Sequence, residues 1–526
     1  MSQGRLLVSN TGATFLRMAV TFWIGLWTTR VILRALGDDD YGIYTLLGGS
    51  IGLVALLQQA FVASAQRHLA HAIGGQDARR VTALFSSSVA LFAGVACAVL
   101  VAAAALLPLL WAILKVPTER WHAATAAYGL MAIQVAISAF LAPFMAIIAA
   151  NQRLARLATL QVLLAAATLG GAWIVLRSSG DRLVVLAAVL AAIQLAWAAS
   201  VAAIAIRSFP EARFRRALCS GRDVIDLASF AGWSFVGTIA WTLRLRGSSL
   251  LLGAFFLPSV ITGYGIAIQV AGYQLQWTGA AWAAAAPAMA TMHGAGRHDR
   301  VGDLATKVCL LNGLIVQMLF IPILLETPTL LRLWLGTVPH LAIEFTRLIV
   351  AGLLIPPLIG GITMAMQARD RARPVALLSV AAGVVPLVAA ALLFALRPGT
   401  EPWMLPALTM AVTAMVPPLA VLLFGRETGV NSRRFLSGVL GPWAAVVAVA
   451  LVASMRAWLF LSESAWRALA VIAIHGCVSA IATWVIAFDD SDRARFVEFL
   501  PSPIRRLVGC ARPSILSRSR LGDPSP

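Results

Sequence analysis

Apolar runs of about 20 residues recur along the chain as far as Phe488, parted by short polar connections. Each is long enough to cross a hydrocarbon core of ~30 Å as a helix. The pattern predicts an all-α polytopic membrane protein with about fourteen transmembrane helices. The first two are expected over Thr11–Leu33 and Tyr41–Ala63, with an external turn at Asp38–Asp40 between them. The seventh is expected over Leu227–Leu257, the tenth over Leu348–Met366, and the last two over Val439–Phe460 and Ala468–Phe488. The short alternating segments of a membrane β-barrel do not occur. The first run is too long for a signal-peptide core and reads as a retained helix.

The connections carry a second pattern. Arg-rich loops, such as Arg67–Arg80, Arg207–Arg222 and Arg426–Arg434, alternate with poorer ones such as Pro258–Ile261 and Arg397–Glu401. By the positive-inside rule the rich set is cytoplasmic, and an even number of spans puts both termini there too. The hydropathy divides the chain into a six-helix lobe (1–206), a basic connecting loop (207–226), a second six-helix lobe (227–424), two additional helices (425–488) and a basic tail (489–526). A faint repeat supports the division. Tyr41-Gly42-Ile43 recurs as Tyr264-Gly265-Ile266, and Gly74-Gly75-Gln76-Asp77 is echoed by Gly294-Ala295-Gly296. Two parallel repeats are a transporter signature, with the substrate site between them.

Composition narrows the function. The 526 residues are 60% hydrophobic and 12% charged, yet the net charge is +19. No basic stretch is interleaved with aromatics, so a nucleic-acid partner is not implied. The charge is the loop bias just described, and it also draws anionic membrane lipids. None of the five cysteines forms a CxxC pair, and the seven histidines are scattered, so neither a metal site nor a disulfide framework follows. His475 alone lies well inside a span and reads as a packed, hydrogen-bonded residue. No P-loop and no catalytic constellation occurs. The chain therefore reads as neither an enzyme nor a cofactor protein.

Charges inside the apolar runs are the exception. Arg244 and Arg246 sit in the middle of the seventh span, and Arg17 and Arg30 lie in the first. A charge at the centre of a membrane helix costs ~2.5–3.5 kcal/mol on insertion scales. Arg17 either reaches back to the interface or faces the interior, and Arg30 has the option of snorkelling outward. Arg347 reads as a helix end. Two residues apart, Arg244 and Arg246 can share a cavity only if the helix is irregular, which Gly247-Ser248-Ser249 permits; otherwise they line a water-filled break. No Asp or Glu lies mid-span to pair with them. Guanidinium is suited to a diphosphate, because its fork donates parallel hydrogen bonds and it stays charged. Trp23, Trp27, Trp233, Trp241, Tyr273, Trp277 and Trp282 accompany these arginines and offer faces for sugar rings. Trp is also ordinary at membrane interfaces.

Arg30-Val31-Ile32-Leu33 followed by Leu36-Gly37-Asp38-Asp39-Asp40-Tyr41-Gly42-Ile43-Tyr44 resembles the N-terminal signature of Wzx-like polysaccharide and O-antigen flippases. Arg67-His68-Leu69-Ala70 and the stretch from Gly74 to Arg80 fit the same pattern, and Gly263-Tyr264 then Pro287 resemble its second half. These flippases belong to the multidrug/oligosaccharidyl-lipid/polysaccharide (MOP) exporter superfamily. The resemblance implies two lobes in a V that open alternately to each side of a bacterial inner membrane. It implies a polyprenyl-pyrophosphate-linked oligosaccharide as cargo, and other glycan-assembly membrane proteins as partners. With that cargo, Arg17, Arg244 and Arg246 are expected at the pyrophosphate, and Trp23, Trp27, Trp241 and Tyr273 at sugar or polyprenyl. Two rival readings are a lipid II-type flippase and a cation-coupled multidrug antiporter, which needs an intramembrane carboxylate. A glycan polymerase or ligase would need larger external loops than the longest here, about Glu326 to Arg347.

Overall fold

The computed structural model describes residues 3–151, 154–229, 242–369, 371–490 and 492–493. Among these residues there is no strand. The first half holds α1 (Gln3–Val54), α2 (Leu56–Gly74), α3 (Ala78–Ile113), α4 (Trp121–Ala150), α5 (Leu154–Arg177) and α6 (Arg182–Ser208). A short α7 (Gly221–Ser229) ends the connecting segment. A π-helical turn, Leu243–Gly247, leads into α8 (Ser248–Phe255), followed by α9 (Pro258–Gly294), α10 (His298–Leu325), α11 (Thr327–Leu335) and α12 (Ala342–Gly352). The chain continues through α13 (Gly360–Ala368), α14 (Ala372–Leu396), α15 (Met404–Thr428) and α16 (Ser432–Phe435) to the final hairpin of α17 (Gly441–Phe460) and α18 (Ala465–Ala482).

Eleven helical segments among the described residues are long and apolar enough to cross a membrane. The sequence expectation of about fourteen differs at three places. Residues 17–54 count once but hold two expected spans, α9 is not among the eleven, and the seventh expected span lies partly in residues 230–241, outside the described residues. Helix starts follow local chemistry. Asp77, Asp181, Asn431 and Ser464 each accept a backbone N–H of the first turn. Prolines 108, 143, 322 and 386 sit inside helices, which a bundle re-satisfying their freed carbonyls tolerates.

Three expectations need correction. The turn expected at Asp38–Asp40 shrinks to a single residue, because Gly37 (φ 74°, ψ 178°) takes a conformation closed to side-chain-bearing residues and helix resumes at once. The loop expected over Glu326–Arg347 is largely helical, as α11 and α12. Arg347 lies within α12 rather than at a helix end.

The two halves meet at one end. Two hydrophobic clusters mix residues of both: Ile43, Leu46 and Leu47 pack with Leu252, Ile261 and Phe345, and Val31 and Ile32 with Ile266, Leu331 and Ala342. At the opposite end each half keeps its own cluster, Leu69, Phe85 and Ile147 in one and Val301, Cys309 and Phe424 in the other. The joint therefore closes the end bearing Gly37 and Pro258, and the Arg-rich loops lie at the other. The repeat seen in the sequence forms this joint. A Cβ on Gly42 would lie 1.9 Å from the Pro258 carbonyl oxygen, and one on Gly265 would lie 2.7 Å from Thr45 Oγ1. Small residues let membrane helices approach this closely. The second echo holds as well: α2 ends at Gly74 and α9 at Gly294, each followed two residues on by a positive-φ residue, Gln76 (56°) or Gly296 (70°).

Charged residues fasten the joint end. Arg120 forks between Asp40 (Nε to Oδ1, 2.9 Å) and Asp181 (Nη1 to Oδ2, 2.7 Å), tying α1 to α4 and α6. The acidic run of the signature thus has a structural role. The groups are partly exposed, so Arg120→Ala is expected to cost about 1 kcal/mol, seen as a modest fall in thermal stability of the purified protein.

The final hairpin is fastened more firmly. Arg467 donates from Nε and Nη2 to the two oxygens of Glu326, at 2.8 and 3.0 Å, and the Glu326 side chain is fully buried. Nearby, His475 is buried between Ser454 Oγ and Gln317 Oε1, each at 3.2 Å, which matches the packed histidine expected from sequence. Glu326→Gln removes the charge partner of a largely covered guanidinium, which keeps Thr329 Oγ1 and the Trp458 ring, and is expected to destabilise by about 2–3 kcal/mol. Glu326→Gln with Arg467→Met should recover most of that loss in the same thermal unfolding measurement.

Candidate functional site

α1 has two working faces. Met18, Phe22, Trp23, Leu26 and Trp27 line an apolar groove of about 680 Å³, whose far wall comes from α9 to α12, with Ile472 of α18 at its edge. The opposite face presents Ile24, Gly25, Thr28, Thr29 and Ile32 to a second cavity of about 360 Å³, walled by α5, α6 and the second arm of α1. Helical spacing alone produces this division, since residues three and four apart share a face.

Three of the expected aromatics come together in the groove. Trp23 and Trp27 are more than half exposed, and Tyr273 packs its ring edge-on to Phe22 at 4.5 Å. Such exposure is unusual for indole in a protein interior and suits a surface that meets something apolar. Trp334 Nε1 donates to the Leu26 carbonyl at 2.7 Å, which anchors α11 to α1. Arg30 closes one end of the groove, over the Trp27 ring at 5.6 Å and donating to the Leu333 carbonyl at 3.3 Å. Trp241, with Trp233, lies outside the described residues, as does the tail beyond Arg493.

The second cavity is polar and was not expected from sequence. Tyr44, Gln161, Thr168 and Gln269 join Thr28 and Thr29 on its wall. A search for charge in the spans passes over lone Gln and Thr residues, so the only available signal was an uncharged amide mid-helix. The two cavities touch through a hydrogen bond. Gln269 Nε2 donates to the Tyr273 hydroxyl at 3.1 Å, with Gln269 on the polar side and Tyr273 on the apolar side. Gly25 makes room for that contact, because a Cβ there would lie 2.5 Å from the Tyr273 oxygen.

The arginines separate. Arg17 donates to the Gln161 side-chain carbonyl, and its Nε is buried with no hydrogen-bond partner among the described residues. The π-helical turn over Leu243–Gly247 provides the irregularity that Arg244 and Arg246 require. It does not bring them together. Arg244 is buried in a small niche of the second half beside Tyr264, Ser248 and Thr409. Arg246 is exposed and lies along α1, where a Cβ on Gly52 would be 3.1 Å from its Cδ and Nε. Its charge also reaches Tyr44 of the polar cavity. Among the described residues neither Arg17 nor Arg246 has an ion-pair partner. The site thus offers an apolar groove and a neutral polar cavity, with Arg17 bonded to one residue of the cavity wall, Gln161, and the Arg246 charge acting on another, Tyr44. No group of three or more metal-ligating side chains occurs among the described residues.

The fold is similar to that of solved transporters of the MOP superfamily. The chain superposes on a lipid II flippase, MurJ, in an inward closed conformation with a TM-score of 0.67, over 91% of this chain and 98% of that one, at 12% identity. An inward-facing multidrug resistance MATE transporter of the MOP superfamily gives 0.64 over 79% and 98%, at 13% identity. A MOP-superfamily transporter from Pyrococcus furiosus gives 0.60 over 81% and 95%, at 14% identity. Identity this low establishes the fold alone. No protein-family model matches the sequence, and no curated protein matches it.

Proposed function

We propose that this protein is a flippase for a polyprenyl-diphosphate-linked oligosaccharide in a bacterial inner membrane, serving cell-surface polysaccharide biosynthesis, of the Wzx type. One observation carries the reading. A single helix, α1, divides an aromatic apolar groove from a neutral polar cavity, with Arg17 and Arg246 beside residues of that cavity. A lipid-linked glycan has the same three parts: an apolar chain, a diphosphate and sugars. Residues 1–206 and 227–424 act as the two bodies of an alternating-access cycle, with 207–226 as their tether and 425–488 closing the edge of the groove. Arg17 and Arg246 meet the diphosphate. Trp23, Trp27 and Tyr273 cover the chain. No bond is made or broken, so no enzymatic step is involved.

The likeness to MurJ keeps a lipid II cargo as a second reading, since its headgroup poses the same charge problem. The likeness to a MATE transporter favours a drug antiporter, but that mechanism needs a carboxylate in the cavity. The walls of the groove and the polar cavity carry none among the described residues. The deciding experiment is a deletion strain. Accumulation of one lipid-linked glycan on the cytoplasmic leaflet, with wall synthesis intact, supports the reading. Arrested wall synthesis would instead favour lipid II, and pH-dependent resistance to several cationic drugs on expression would favour the antiporter. With the termini cytoplasmic, reporter fusions at Gly296 should report cytoplasm and those at Thr400 the external side. An external signal at Gly296 would overturn the orientation.

A further inference from the structure

We propose that the polar cavity beside α1 holds the sugar nearest the diphosphate, and that it selects an uncharged sugar over an acidic one. This rests on the flippase reading and adds a substrate class to it. The cavity, at about 360 Å³, falls within the ~300–1,000 Å³ range of small-molecule sites.

Its hydrogen-bonding capacity can be counted. Thr28, Thr29 and Thr168 each donate their hydroxyl proton to a carbonyl one turn back, those of Ile24 (2.8 Å), Gly25 (3.0 Å) and Leu164 (2.8 Å). What remains on each hydroxyl is acceptor capacity. Gln269 spends an amide hydrogen on Tyr273, and its carbonyl oxygen is left to accept. Gln161 does the reverse: its carbonyl accepts from Arg17, and its amide hydrogens are left to donate. With the Tyr41 and Tyr44 hydroxyls, the wall therefore offers neutral donors and acceptors together, which suits the hydroxyls of a sugar. Ile24, Ile32 and Leu164 supply apolar surface for its C–H faces.

The same count disfavours an anion. No Lys, Arg or His is on the cavity wall among the described residues. A sugar carboxylate there would find no cation on the wall to pair with, since the neighbouring Arg17 and Arg246 are engaged by the diphosphate, and burying an unpaired charge is costly. The position also fits the chemistry of the link. Arg17, the candidate diphosphate ligand, is one hydrogen bond from Gln161, so a sugar bonded directly to the diphosphate would enter beside that amide.

The test uses the full-length protein in lipid nanodiscs. Three probes are compared: undecaprenyl diphosphate, the same lipid bearing N-acetylglucosamine, and the same lipid bearing glucuronic acid. The wild type is expected to bind the N-acetylglucosamine lipid about tenfold or more tighter than the glucuronic acid lipid. Thr28→Val with Thr168→Val keeps side-chain shape but removes two acceptors. It should cut the preference for the N-acetylglucosamine lipid over the bare lipid to about twofold or less. Gln269→Met is a second route to the same loss should the double variant fail to fold. Equal affinity of the wild type for the neutral and acidic lipids overturns the inference. So does a preference that survives both variants, and in either case the flippase reading stands. Failure of the wild type to bind any of the three lipids removes the flippase reading and the inference together.

Discussion

Arg246→Ala is expected to reduce delivery of lipid-linked glycan to the outer leaflet about tenfold to hundredfold at matched membrane abundance. The residue is exposed, lies against Gly52 of α1, and has no ion-pair partner among the described residues. Charge-assisted hydrogen bonds to a diphosphate are worth roughly 1.5–3 kcal/mol, which sets the range. Arg246→Lys should lose less, because a point charge remains while the planar fork is gone. Arg246→Glu should lose more, since it repels the cargo. Arg244→Ala should behave differently. That side chain is buried in the second half, so its loss should appear as lower abundance and lower thermal stability. Surface glycan in a complemented deletion strain reads both effects. Full activity of Arg246→Ala would remove this arginine from the substrate path.

Gly42→Val should abolish transport nearly completely. The obstacle is backbone: the new Cβ would meet the Pro258 carbonyl oxygen at 1.9 Å and its carbon at 2.5 Å. Neither atom can rotate away, so α1 and α9 must part and the closed end of the joint is lost. Gly265→Ala is the informative contrast. Its Cβ meets the Thr45 side chain, which can change rotamer, so most activity should survive. Trapping of the closed joint by a disulfide engineered across it should fail in Gly42→Val and succeed in Gly265→Ala. Equal behaviour of the two would show that the joint is softer than this packing implies.

The candidate site was partly legible in the sequence. Arg17, Arg244 and Arg246 stood out because a charge in a long apolar run is costly, and cost is visible without coordinates. Trp23, Trp27 and Tyr273 were chosen as amphipathic rings near those charges, and the fold gathers them in one groove. Gln161, Gln269, Tyr44, Thr28, Thr29 and Thr168 gave no comparable signal. A neutral side chain is cheap enough in a helix to pass unnoticed, and the polar cavity exists only because three helices turn such residues toward one another.

Hydrophobic run length determined by itself that this is a polytopic helical membrane protein, since that property depends on local composition and the thickness of a bilayer. Run length could not show that Gly37 leaves no loop between two spans, because a single positive-φ residue has no hydropathy. Nor could it show that Glu326, at the edge of an apparent loop, is buried against Arg467 more than a hundred residues away. Most consequential is the separation of Arg244 from Arg246. Two residues apart in sequence, they are sent to different surroundings by a π-helical turn and the packing of α8 against α1. Which of them can meet a substrate is therefore decided by tertiary structure, because direction, unlike charge, is not a local property of the chain.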